Sequence, residues 1–162
     1  MKTFWIITIW LLYFTLCSCN KHPARIDANQ VDSILFYTMR KGVEFSHGIH
    51  SLERLKRYSR DTIITDRAFI EQYVDLVNQL SPKGPFKPWD FRSASIIIMK
   101  DGKEHCLCFG ESSGIDYDNN EMEDTRAIFD FIDGHVYAPH SWRYWCDDEE
   151  IRLVEWLMSL EQ

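Results

Sequence analysis

The stretch SASIIIMKDGKEHCLCFG, Ser93–Gly110, decides the fold class. Two apolar runs flank Asp101-Gly102, and Asp-Gly is a strong hairpin signal because both residues accept the left-handed backbone of a tight turn. With those two as the turn, Lys100 pairs with Lys103, Met99 with Glu104, Ile98 with His105, Ile97 with Cys106, Ile96 with Leu107 and Ser95 with Cys108. Side chains alternate along a strand. One face then carries Ala94, Ile96, Ile98, Leu107 and Phe109, with His105 at its edge, and the other carries Ile97, Met99, Cys106 and Cys108. The first face is more apolar and is the expected core face.

Upstream, VDSILFYTM (Val31–Met39) is β-branched and aromatic and reads as a first strand. The segment from Leu52 to Tyr58 suits either a strand or a short helix, and DTIITD is a short apolar step into the next helix. Asp66 is a good N-cap for that helix, because its carboxylate accepts from unpaired N–H groups of the first turn. Phe69, Ile70, Tyr73, Val74, Val77 and Leu80 follow at helical spacing, and Ser81-Pro82 stops it. SPKGPFKPWD reads as a Pro/Gly loop. AIFDFIDGHVYA predicts a second hairpin around Asp133-Gly134, with Phe129, Phe131, Val136 and Ala138 on one face, and the acidic ESSGIDYDNNEMED between the hairpins reads as an exposed loop. A last helix follows Asp147, with Glu150 at capping-box spacing and an apolar stripe from Ile151 to Leu160. Strands without regular βαβ alternation predict an α+β fold: an antiparallel β-sheet of about four to six strands with two main helices packed on one face.

The N-terminus is of a different kind. Met1-Lys2-Thr3 precedes the apolar run Phe4–Leu16, which falls short of the ~20 residues that cross a bilayer and fits the apolar region of an export signal. The tetrad Leu16-Cys17-Ser18-Cys19 resembles the lipobox of bacterial lipoproteins: an aliphatic residue, two small ones, then the modified cysteine. The resemblance covers the first nineteen residues. It implies a signal peptide at 1–18, a lipidated Cys19 opening a polar tether at 19–30, and one α+β domain at 31–162. Several acyl chains on Cys19 would hold the chain firmly at a membrane. Some lipoproteins of Bacteroidetes carry an acidic run after this cysteine that sends them to the outer face; NKHPARIDANQ has none, so the resemblance implies a cell-envelope protein facing the periplasm. The domain itself is similar in style to uncharacterised small lipoproteins of Bacteroidetes, with a capped helix followed by Asp-Gly hairpins. That likeness carries no residue roles with it.

Composition excludes one class of partner. The formal net charge is −7, and residues 1–18 hold one base and no acid, so the processed chain is more acidic still. Such a domain is repelled by nucleic acid. With Cys17 removed and Cys19 lipidated, Cys106, Cys108 and Cys146 remain, an odd number in an exported protein. Cys106 and Cys108 are badly placed to bond each other on a strand. The favoured account is two small hydrophobes on a half-buried strand, and the candidate disulfide is Cys146 with Cys106 or Cys108.

No catalytic residue, cofactor or metal site emerges. In HCLC the two thiols point one way and His105 the other, which leaves a tetrahedral site incomplete. His47 and His50 in SHGIH lack the spacing and acid of a zinc-protease helix. Asp116-x-Asp118-x-Asn120 opens like a calcium loop, but Glu121 stands where the loop needs glycine and Ala127 where it needs glutamate. YAPHSWRYWC is the most unusual segment. Packing of its aromatics beneath the last helix is the favoured account; as a surface, Trp142, Arg143, Tyr144 and Trp145 are hot-spot residue types in a loop and form the candidate binding surface. The expectation is a non-catalytic binding or inhibitor-like domain, joined to the membrane through its N-terminal lipid and to an envelope protein partner. The alternative is a metal-binding or Cys/His-dependent envelope enzyme.

Overall fold

The computed structural model describes residues 25–41, 47–85 and 89–137. Seven antiparallel strands form one sheet in the order β2-β1-β4-β5-β6-β7-β3. They are β1 (Val31–Thr38), β2 (Arg60–Ile64), β3 (Pro82–Pro85), β4 (Ser93–Met99), β5 (Glu104–Phe109), β6 (Ile115–Tyr117) and β7 (Asn120–Met122). Three α-helices accompany them: α1 (Leu52–Tyr58), α2 (Arg67–Asn78) and α3 (Arg126–Ile132). The α+β class is as expected, with more strands than anticipated. α2 and α3 cover one face; α1 packs on the other. The expected last helix, after Asp147, lies outside the described residues.

α2 forms where its sequence places it. Asp66 Oδ1 accepts from the Phe69 N–H at 2.8 Å, and Ile70, Tyr73, Val74 and Val77 are buried. They meet Val31, Ile34, Phe36, Ile97, Leu107, Phe109 and Ile115 from the sheet. Each such side chain taken fully from water contributes about 1.5–3 kcal/mol. Phe36 packs edge-on to Tyr73, with centroids 5.2 Å apart, and Phe69 meets Phe131 of α3 at 4.9 Å. The ordered domain reaches back into the expected tether: Ile26 is buried, and the Asn78 side chain accepts its N–H and donates to its C=O, both at 2.8 Å.

The central hairpin departs from its expected register by one residue. Ile98 pairs with Glu104, Ile97 with His105, Ile96 with Cys106, Ser95 with Leu107 and Ala94 with Cys108. The loop has three residues rather than two. Gly102 N–H donates to Met99 O at 2.9 Å, Met99 N–H donates to Lys103 O at 2.8 Å, and Gly102 takes φ +84°. A type I turn closed by a left-handed glycine is the next commonest hairpin after the two-residue forms. The slip corrects the expected core face: Leu107 and Phe109 face the helices as anticipated, but with Ile97, while Ala94 joins Cys108 in a smaller cluster on the other side.

Two other segments also differ. Arg126–Tyr137 is not a hairpin: α3 runs on into one wider turn, Asp133–Tyr137, and Ile128, Ile132 and Val136 are buried at four-residue intervals. That is helical spacing, and Gly134 has no left-handed φ to make a turn. The acidic segment is not an exposed loop but the β6–β7 hairpin, whose Ile115, Asp116, Tyr117, Glu121 and Met122 are all buried. Its two-residue turn, Asp118-Asn119, has φ +48° and +65°, the mirror-image geometry that suits strand twist. Part of the expected Pro/Gly loop is edge strand β3, where prolines at both ends limit further pairing.

The main core contains a polar link: the Tyr73 hydroxyl and Ser95 Oγ, both fully buried, lie 2.5 Å apart. Tyr73→Phe strands the serine hydroxyl and should cost about 1–3 kcal/mol in urea unfolding. Adding Ser95→Ala should recover most of that loss, because no orphan then remains. Additive losses in the double variant would show that the pair is not coupled.

Candidate functional site

The sheet face turned away from α2 and α3 carries the polar chemistry. Directly paired residues of antiparallel strands project to the same side. One cross-strand row therefore runs Tyr37, Ala94, Cys108, Asp116, Glu121, and Cys106 and Ile96 stand one step along it. α1 roofs the start of this row. Leu55 packs with Ala94, Cys108, Met39, Ile49 and Phe91, and Lys56 Nζ lies over the Tyr37 ring at 5.0 Å.

Residues His47–His50 serve this roof. Ile49 N–H donates to Asp90 Oδ1 at 2.7 Å, Phe91 N–H donates to Ile49 O at 2.7 Å, and His50 Nδ1 meets Trp89 O at 2.7 Å, which makes Nδ1 the protonated nitrogen. His47 and His50 are exposed and belong to this clamp between two loops. The Trp89 ring in turn lies close above Gly114, at φ +90°, where an added Cβ would sit 3.1 Å from it.

Cys106 and Cys108 are unbridged, with Sγ atoms 3.9 Å apart. The hydrogen bond from the Cys108 thiol lowers the Cys106 pKa. Burial and the carboxylates of Asp118 and Asp116 oppose that shift, and Lys56 assists it. Cys108 is pushed far up by that same bond and by burial. His105 projects to the opposite face, as its alternation requires. There its Nδ1 meets Asp118 Oδ2 at 2.9 Å, while Asp118 Oδ1 accepts the Cys106 N–H at 2.8 Å. Asp118 thus continues the β5 ladder where β6 ends.

Two carboxylates that sequence reasoning placed in solvent are buried here. Glu121 is 4% exposed and its Oε1 pairs with Lys83 Nζ at 2.8 Å. Asp116 is 7% exposed, and its Oδ1 has no hydrogen-bond partner. Burial pushes the Asp116 carboxyl up to about 6, partly offset by the Asn119 backbone N–H and reinforced by Asp118. The alternation of apolar Ile115 and Tyr117 about Asp116 is a signal for the strand, though not for the burial of Asp116 itself.

Among the described residues, no group of three His, Cys, Asp or Glu side chains is placed to hold a metal ion. A cavity of about 20 Å³ beside Lys41, Arg92 and Tyr137 has room for a water. A shallow depression of about 380 Å³ runs along Arg25, Asp27, Val74 and Asn78. Among the described residues no helix is long and apolar enough to cross a membrane. Cys19, the Trp142–Trp145 surface and Cys146 lie outside the described residues.

Asp116 makes stability pH-dependent in a definite direction. A carboxyl whose folded pKa lies above its unfolded value binds its proton more tightly in the native state, so its cost is absent below about pH 4, grows as pH rises and is complete above about pH 6. Asp116→Asn should therefore be near neutral in urea unfolding at pH 4. At pH 8 it should stabilise by up to about 3 kcal/mol, the equivalent of a two-unit shift. Equal effects at both pH values would contradict a buried carboxyl with a raised pKa.

No family model matches the chain, and neither a curated protein nor a solved structure shows significant similarity to it.

Proposed function

We propose that this chain is a lipid-anchored domain of the bacterial cell envelope, facing the periplasm, which binds a protein partner rather than catalysing a reaction. The observation that carries the location is the Leu16–Cys19 tetrad behind a short apolar run. Cys19 is the lipid attachment point, and the close start of the domain at Ile26 holds it near the bilayer. Binding is supported by an acidic chain that keeps Ile63 65% exposed and Tyr58 54% exposed beside β2, the terminal strand of the described sheet. Terminal strands and exposed apolar side chains are surfaces that partners use. The Trp142, Arg143, Tyr144 and Trp145 segment supplies the anchor types of such a contact.

A second reading is favoured by the adjacent thiols of Cys106 and Cys108: a zinc or copper site, or a Cys/His enzyme, completed by Cys146 and a histidine. Metal analysis of the purified chain beside its Cys106→Ser variant separates the two. Stoichiometric metal lost in the variant would overturn the binding reading.

The anchor is tested by Cys19→Ala. The parent chain should incorporate labelled palmitate and fractionate with membranes, whereas the variant should incorporate none and keep its leader. A Cys19→Ala chain that is still labelled and processed would remove the lipoprotein reading. The surface is tested by Trp142→Ala with Trp145→Ala in the anchored chain, which should cut recovery of a crosslinked envelope partner at least about tenfold, the scale of one hot-spot anchor. Unchanged recovery would exclude that segment.

A further inference from the structure

The two thiols of β5 lie side by side, free and unbridged. They flank Leu107 and project from the same face, with Sγ atoms 3.9 Å apart. Bond formation requires about 2.05 Å, a gap that rotation about the two Cα–Cβ bonds narrows. Residues two apart on a strand hold their Cα atoms about 6.7 Å apart, at the upper end of what a disulfide tolerates. The bridge would therefore form under strain, and strained disulfides are the readily reduced ones.

The two sulfurs are not equivalent. Cys106 is half-buried, so an incoming disulfide can reach it, and the Cys108 thiol and Lys56 favour its thiolate. Cys108 is 3% exposed and is held protonated by its bond to Cys106 and by burial. To react, it needs a base within the fold. Its direct cross-strand neighbour is Asp116, buried, with one carboxylate oxygen unpartnered among the described residues; that oxygen makes no hydrogen bond to the Cys108 thiol here and must turn towards it to take its proton. Of the other charged groups near these three, Glu121 is engaged by Lys83, and Asp118 is engaged by His105 and the Cys106 N–H.

We propose that Cys106 and Cys108 are a thiol–disulfide exchange pair, with Cys106 meeting the incoming disulfide and Asp116 accepting the proton of Cys108. In the first step the Cys106 thiolate attacks one sulfur of the incoming disulfide. That S–S bond breaks, a mixed disulfide forms on Cys106, and the departing thiolate takes a proton from solvent. In the second step Asp116 takes the Cys108 proton, and the Cys108 sulfur attacks Cys106 Sγ. The intrastrand bond forms, and the second thiolate leaves and is protonated. Two thiols of this chain are oxidised by two electrons, and one disulfide is reduced to two thiols; the oxidant is the incoming disulfide itself.

The test uses the full chain in detergent with Cys17→Ser, Cys19→Ser and Cys146→Ser, which leaves Cys106 and Cys108 as the only thiols. Oxidised glutathione should remove both thiols and lower the intact mass by two hydrogens, with no glutathione retained. A reduced-glutathione buffer too mild to open structural disulfides should restore both. Adding Cys108→Ser should stop the reaction at a glutathione adduct on Cys106. Adding Asp116→Asn should leave the first step unchanged and slow the second at least about tenfold at neutral pH, the lower range of general-base effects; a merely structural role would not separate the steps. Two thiols that stay alkylatable, a lasting glutathione adduct with both cysteines present, or chain-to-chain bridges would overturn the pair. So would a bridge from Cys106 or Cys108 to Cys146 in the chain that keeps Cys146. An unslowed second step in Asp116→Asn would remove Asp116 from the mechanism.

Discussion

Met99 donates its backbone N–H to Lys103 and accepts that of Gly102, so the central hairpin reverses over three residues with a left-handed glycine at the third. Because side chains alternate, moving the reversal by one residue would exchange the two faces of β5 relative to β4. With it in place, Ile97, Leu107 and Phe109 meet α2 and α3, and Ala94, Cys106 and Cys108 meet α1. β1 is bound to β4 on one side and β6 to β5 on the other, so the rest of the sheet inherits that choice. One turn thereby decides which residues hold the domain together and which lie beside Asp116.

The two faces do different physical work. The face under α2 and α3 is built from aromatic and branched side chains, and its buried hydroxyl of Ser95 is paired with Tyr73. The other face takes on polar cost: two buried carboxylates and two thiols in adjoining positions. Glu121 is compensated by Lys83 at the surface. Asp116 is compensated only in part, and burying an unsatisfied polar group is among the larger single penalties a fold carries.

Where each element was legible follows from how local its causes are. α2 announces itself within its own residues: a capping Asp66, an apolar stripe and a terminating proline. β1 is equally local, an unbroken β-branched and aromatic run. The central hairpin was legible as a hairpin but not in its register, since Asp-Gly is compatible with both a two-residue and a three-residue reversal, and packing against the helices selects between them. At Asp133-Gly134 the same dipeptide misled. Phe129 and Phe131 alternate like a strand, yet Ile128, Ile132 and Val136 carry the burial at helical spacing. β6 and β7 were hidden by their acids, because a carboxylate weighs towards solvent in any composition argument. The pairing of β6 with β5 and of β7 with β6 places Asp116 and Glu121 side by side on the inward row.

The candidate site could not have been assembled from HCLC alone. Sequence spacing correctly separates His105 from the thiols, and by the same logic it discourages a bond between residues two apart on a strand. What it cannot supply is the third partner, which comes from β6 across a non-local ladder. The sheet leaves a buried carboxylate oxygen unpartnered beside a thiol pair; on its other face the buried hydroxyls of Tyr73 and Ser95 are matched, while the Tyr117 hydroxyl is not. Natural folds depart from such consistency mainly where a site requires it. The departure at Asp116 is the one that falls next to Cys108, and that coincidence of an unpaired buried acid with adjacent thiols is what places the proposed exchange pair on the α1 side of the sheet.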